Sequence, residues 1–187
     1  MSIQIKTKRL LLREFTAEDA VELQSICSQP YILKWMPDWG RTIAERREWI
    51  RWVRESYSKA SADNARVMLA VTLKSDRRLI GMAGIGNKKE VNNEIEIAYF
   101  ISEEFNRKGY MSEAAKALTE WVFTNLQLDY LMAIVDPDNI PSQRVLEKCG
   151  FARLDTKMLV NDGDTVEKPF FYYRLYGNTT GLSQNES

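Results

Sequence analysis

The chain has 187 residues, few enough for one domain and enough to bury roughly 70% of its unfolded surface without disulfides or metals. Lys and Arg total 26 and Asp and Glu total 26, so no net field draws the chain to nucleic acid or to an anionic membrane. Histidine is absent, which excludes Ser-His-Asp and Cys-His catalysis and the usual His-based zinc sites; no metal is expected.

Proton transfer therefore falls to Glu, Asp, Tyr, Ser or Lys. The opening stretch MSIQIKTKRLLLREF lacks the apolar run of a signal peptide, and no segment approaches a membrane span. Two distant cysteines, Cys27 and Cys149, read as reduced thiols, so the chain is expected to be cytoplasmic.

Residues 8–14, KRLLLRE, alternate apolar and charged as a half-buried strand does. TAEDAVELQSIC reads as a helix capped by Thr16 and Asp19. TIAERREWIRWVRESY reads as a second helix, with Thr42 and Glu45 as cap and Trp49, Trp52 and Val53 as an apolar stripe expected in the core. Between them KWMPDWGR, with Trp35 and Trp39, is loop-like and suited to shaping a pocket.

Three strand candidates follow: RVMLAVTL, LIGMAGIG and EIEIAYFI, an antiparallel meander by their short spacers. SEAAKALTEWVFTNL is a helix with Ala115, Leu118, Val122 and Leu126 on one face, and DYLMAIV is a short buried strand. DNIPSQRVLEKCGF packs a turn, a helix capped by Asn139 and a stop at Gly150, with Lys148 suited to the helix dipole and Phe151 as a core anchor. FARLDTKMLV and PFFYYRL flank NDGDTVEK, where Asp162-Gly163 signals a hairpin turn. Residues 1–176 form the expected domain; 177–187 are a polar tail expected to be disordered. The mixed order of elements predicts an α+β (mixed α/β) fold with one central sheet.

Two stretches can carry chemistry. After EIEIAYFI a loop bears Arg107, Lys108 and Gly109, and a helix begins near Ser112. Helix-start amides beside two cations and a glycine suit an anion. No Walker loop or Rossmann fingerprint is present. Within EIEIAYFI, alternation puts Ile95, Ile97, Tyr99 and Ile101 on one face and Glu94, Glu96, Ala98 and Phe100 on the other. A central strand covered on both faces rarely carries acids without a task.

Read together, NRKGYM at 106–111 and Asn139-x-x-Ser142-x-x-Val145-Leu146-x-Lys148-x-Gly150-Phe151 resemble the GNAT N-acetyltransferases, most closely the RimJ/RimL-like branch. Asn106 and Met111 depart from the branch's phosphate-loop pattern of Gln or Arg first and a small residue last. The resemblance implies a mostly antiparallel twisted sheet of about seven strands, with helices on both faces and acetyl-CoA between two splayed parallel strands. It implies that the pantetheine pairs with backbone at Tyr99, Phe100 and Ile101. The pyrophosphate would meet the amides of Arg107, Lys108, Gly109, Tyr110, Met111 and Ser112, and Asn139 would bond the pantetheine arm. Glu96 is then the candidate base, acting directly or through water, and Glu94 a residue that attracts a cationic acceptor. Many relatives carry a tyrosine acid seven residues after the asparagine. Leu146 stands there, so Ser142 (or a water) is the candidate acid for the thiolate. Trp35 and Trp39 would shape the acceptor pocket. The expected activity is transfer of acetyl to a primary amine, either a protein N-terminus, as for ribosomal proteins in this branch, or a small amine. The alternative is a non-catalytic acyl-CoA-binding module. Monomer and homodimer both stay open.

Overall fold

The computed structural model describes residues 2–61, 65–161 and 164–177. The Asp162-Gly163 turn and residues 178–187 of the polar tail lie outside the described residues.

Among the described residues eight strands form one sheet: β1 (Gln4–Lys6), β2 (Leu10–Glu14), β3 (Val67–Leu73), β4 (Leu79–Lys88), β5 (Glu94–Ile101), β6 (Tyr130–Val135), β7 (Ala152–Leu159) and β8 (Lys168–Tyr176). Their spatial order is β1-β2-β3-β4-β5-β6-β8-β7. Every neighbouring pair is antiparallel except β5 and β6. The strand beyond the expected seven includes β1, three residues too short to show a period. It exists because Gln4, Ile5 and Lys6 pair with Arg13, Leu12 and Leu11 of β2.

Among the described residues five α-helices accompany the sheet: α1 (Ala20–Cys27), α2 (Pro30–Leu33), α3 (Ile43–Ser56), α4 (Tyr110–Leu126) and α5 (Ile140–Lys148). Alternation along β5 feeds two cores, as strand geometry requires. Ile97 and Ile101 join Leu118 and Val122 of α4 and Leu146 of α5 on one face. Phe100 joins Leu23 of α1 and Ile50 of α3 on the other. The meander closes tightly: a Cβ on Gly84 would collide with the Val67 carbonyl and with Met68.

Local signals set the helix ends. Thr42 receives the Glu45 N–H at 3.3 Å, and the Glu45 carboxylate accepts the Thr42 N–H at 2.8 Å, a reciprocal cap. Gly150 ends α5 in the left-handed region, at φ 89°, and the Phe151 N–H donates to the Leu146 carbonyl at 3.0 Å.

The stripe of α3 needs correction. Trp52 is 44% exposed, whereas Arg46, Ile50 and Val53 are buried. The three face the sheet at i, i+4 and i+7, and Trp52 lies off that line, with the Arg66 guanidinium 4.4 Å from its ring.

Candidate functional site

The parallel pairing of β5 with β6 is recorded at Glu96 opposite Met132. Toward their C-terminal ends, Ile97–Ile101 of β5 and Ala133–Val135 of β6 line the walls of one cleft of about 500 Å³. A wedge between parallel strands leaves β5 backbone groups available for an extended ligand arm, since they have no ladder partner on that side.

Most of the expected residues meet in this cleft. Glu96, Tyr99, Phe100 and Ile101 come from β5, Asn139 and Ser142 from α5, and Met111 from α4. Trp35 and Trp39 line its other end. Arg107, Lys108, Gly109, Tyr110 and Ser112 stand beside it, in the loop after β5 and the first turn of α4.

That loop has the form of an anion cradle. Arg107 (φ 59°) and Gly109 (φ 76°) are left-handed. The first intrahelical bond runs from the Glu113 N–H to the Gly109 carbonyl at 3.1 Å. Helix geometry therefore leaves the N–H groups of Tyr110, Met111 and Ser112 without an intrahelical acceptor. The wedge and the cradle together fit a ligand with an extended amide arm and a diphosphate, as acetyl-CoA has.

The two departures from the family pattern have structural tasks. The Asn106 amide donates to the Tyr31 hydroxyl at 2.8 Å and accepts the Arg107 N–H at 2.8 Å, fixing the loop against α2. Met111 is buried in the α4 core.

Asn139 caps α5, its Oδ1 accepting the Ser142 N–H at 3.2 Å. The Tyr99 hydroxyl lies 3.1 Å from the Ser142 carbonyl and 3.1 Å from Ser142 Oγ. Burial pushes the Tyr99 pKa up, so its proton stays on at any working pH. Alternation placed Tyr99 on the α5 side; its reach to Ser142 needed the helix in place.

Glu94 is not brought to the cleft. Its carboxylate accepts from Arg174 at 3.0 Å and from the Tyr172 hydroxyl at 2.5 Å. It opens β5, and both partners come from β8, which lies beyond β6 in the sheet, so its charge is met within the fold.

The sequence reading missed Arg46 and Lys88. Arg46 is fully buried. It donates to the Trp39 carbonyl at 2.7 Å and to Gln24 Oε1 at 3.3 Å, and its guanidinium lies 5.1 Å from the Trp39 ring. Trp39 in turn meets Trp49 and Phe100 edge-on, at 5.2 and 4.9 Å, so the aromatic wall is preorganised. Lys88 lines the same cleft as Glu96 and forms an ion pair with Glu90 at 3.5 Å. No pattern in the letters flags either residue, because both sit in ordinary helix or strand contexts.

Neither thiol is primed. Burial pushes Cys149 up to about 11 and Cys27 up to about 12. Among the described residues no group of three or more His, Cys, Asp or Glu could hold a metal. Nor is any helix among them long and apolar enough to cross a membrane.

Comparison with known proteins agrees with this geometry. Residues 9–152 match the acetyltransferase (GNAT) domain. The uncharacterized N-acetyltransferase YnaD of Bacillus subtilis (strain 168) is 32% identical over 151 residues, covering 81% of this chain and 84% of the relative. A GNAT-family acetyltransferase from Bacillus anthracis superposes with a TM-score of 0.76 at 26% identity, covering 94% of this chain and 99% of that one. Mycobacterium smegmatis RimJ in complex with CoA-disulfide shares the fold, with a TM-score of 0.75 at 20% identity, covering 97% and 90%. With a cleft of this form and relatives named for acetyl transfer, the chain belongs to the GNAT family of acetyltransferases.

Proposed function

We propose that this protein transfers the acetyl group of acetyl-CoA to a primary amine by direct attack, with no acyl-enzyme. The observation that carries this reading is the β5–β6 wedge, with Glu96 on one wall and Ser142 beside the other. Bound there, acetyl-CoA supplies an activated acyl thioester.

Glu96 takes the proton of the attacking amine, directly or through a water. Backbone N–H groups near Tyr99 are the candidates to meet the charge that builds on the acyl oxygen. Ser142 gives its hydroxyl proton to the departing thiolate. The Tyr99 hydroxyl, 3.1 Å from Ser142 Oγ, holds the serine side chain in place for that transfer. The protonated Cys149 thiol supports a route without a covalent intermediate.

The acceptor belongs to one of two classes, a peptide N-terminal α-amine or a small amine. The test is a CoA-release assay across peptide N-termini and small amines. Turnover with intersecting initial-rate lines is expected. Binding of acetyl-CoA without turnover on any amine would favour a non-catalytic binding module, and ping-pong kinetics would overturn direct attack.

A further inference from the structure

The turn between β1 and β2 reaches a site it has no sequence connection to. Thr7 and Arg9 lie about one hundred residues before the cradle loop, yet their contacts converge on it and on the start of α4. The Arg9 Nε donates to Glu113 Oε2 at 2.7 Å, and its backbone N–H donates to Glu113 Oε1 at 2.8 Å. Thr7 Oγ1 donates to the same Oε1 at 2.6 Å. Arg9 Nη1 donates to the Lys108 carbonyl at 2.9 Å, and the guanidinium carbon lies 4.2 Å from the Tyr110 ring centre. The remaining nitrogen, Nη2, lies 3.5 Å from where a Cβ on Gly109 would stand.

We infer that Arg9 is a binding residue for the diphosphate of the CoA moiety, held in place by Glu113 and Thr7. The inference rests on the acetyl-CoA reading above. An exposed ion pair contributes little to stability on its own, and the Arg9 side chain is 40% exposed. Such a pair does not require a carboxylate, a carbonyl and a ring around one guanidinium. A ligand site does, because a fork fixed before binding loses little freedom on meeting a phosphate.

The charge balance points the same way. Glu113 lies in the first turn of α4, where an acid favours the helix but competes with an anionic ligand for the same amides. Arg9 pairs with that acid and keeps its Nη2 beside Gly109, at the residue that precedes the helix. Arg107 and Lys108 add charge from the loop itself, and both are exposed. Of the three cations only Arg9 is fixed by hydrogen bonds to the helix start.

The experiment measures CoA affinity by titration calorimetry for wild type, Arg9→Gln and Arg9→Lys at low and high salt, with melting curves to confirm folding. Arg9→Gln should weaken CoA about tenfold at low salt, the scale of one hydrogen bond to a charged group. The gap should narrow at high salt, and Arg9→Lys should fall between the two. Equal affinity of Arg9→Gln and wild type overturns the assignment. A loss that salt does not change also overturns it, since that is the signature of a structural role. If Arg9→Gln does not fold, protection of the wild-type protein decides: saturating CoA should shield Arg9 from phenylglyoxal in peptide mapping, and unaltered labelling overturns the assignment. A wild type that binds no CoA overturns the cofactor reading itself, an outcome distinct from an indifferent Arg9→Gln.

Discussion

The Tyr99 hydroxyl and Ser142 Oγ stand 3.1 Å apart, across the gap between the central sheet and α5. Tyr99 holds its proton because burial raises its pKa, and its hydroxyl donates to the Ser142 carbonyl while standing in hydrogen-bond contact with Oγ. Contact with both the carbonyl and the hydroxyl of Ser142 fixes that residue against the sheet.

The two residues should therefore act as one unit. At pH 7, protonating a thiolate with a reference pKa near 8.5 is worth about 2 kcal/mol, so Ser142→Ala should lower kcat by no more than about 30-fold. Tyr99→Phe should cost a few-fold, and the double variant should be no worse than Ser142→Ala, because Tyr99 acts through Ser142. Acetyl-CoA affinity should change in neither. Steady-state rates and calorimetry on the four proteins check this; additive losses would separate the two residues.

Glu96→Gln should report on the acceptor. At pH 7.5, freeing an ε-amine of pKa near 10.4 costs about 4 kcal/mol, against under about 1 kcal/mol for an α-amine near 8. The variant should therefore lose more turnover on ε-amines than on α-amines, and rising pH should bring it toward wild type. Rate profiles against pH for both amine classes test this, and wild-type rates at every pH would remove Glu96 as the base.

Gly109→Val should abolish stabilisation by the cofactor. At 100 times its dissociation constant, a ligand that binds the native state alone adds about 2.7 kcal/mol to stability. Gly109 sits at φ 76°, where a β-branched residue is strained, and its added carbons would intrude on the cradle. Thermal melts with and without acetyl-CoA should show a shift for wild type and none for the variant.

Acid should weaken the fold through Asp19. Burial alone would raise the Asp19 pKa, but hydrogen bonds from Arg13 and the Thr16 backbone outweigh it and hold it below the usual value. Both Arg13–Asp19 contacts are 2.7 Å. A depressed folded pKa gives stability that is fully present above the unfolded value near 3.9 and is lost as pH falls through the lower folded value. Asp19→Asn should thus be less stable than wild type by about 1–3 kcal/mol at pH 7, and the gap should be narrower at a pH below the unfolded value near 3.9. Urea unfolding at both pH values measures the difference.

The thiols should be silent near neutral pH. With Cys149 raised to about 11 and Cys27 to about 12, iodoacetamide should label neither appreciably at pH 7.5 in the folded protein. Mass spectrometry of treated protein checks it, and Cys149→Ala should retain activity.

Local chemistry was legible in the letters. The caps at Thr42 and Asn139, the stop at Gly150, the meander and the inward face of α4 are each written within a few residues, so spacing alone determines them. Alternation set Glu94 and Glu96 apart as acids on a central strand, and the family resemblance, not the period, singled out Glu96 and Ser142. Trp52 and Arg46 show where that legibility stops: a helical period says which arc turns inward, not which residue at its margin fills the space. Burial followed what packs opposite: Gln24 and the Trp39 carbonyl seat the Arg46 guanidinium beside two tryptophans, while a third indole, Trp52, stays half exposed beside Arg66.

Only the tertiary structure decided the long-range relations. The insertion of β8 between β6 and β7, the parting of β5 from β6 beyond Glu96, the capture of Glu94 by Arg174 and the approach of Arg9 to the start of α4 join segments far apart in the chain. Such contacts depend on packing of the whole sheet against its two helical layers, and no window of residues short enough to read a period contains both partners.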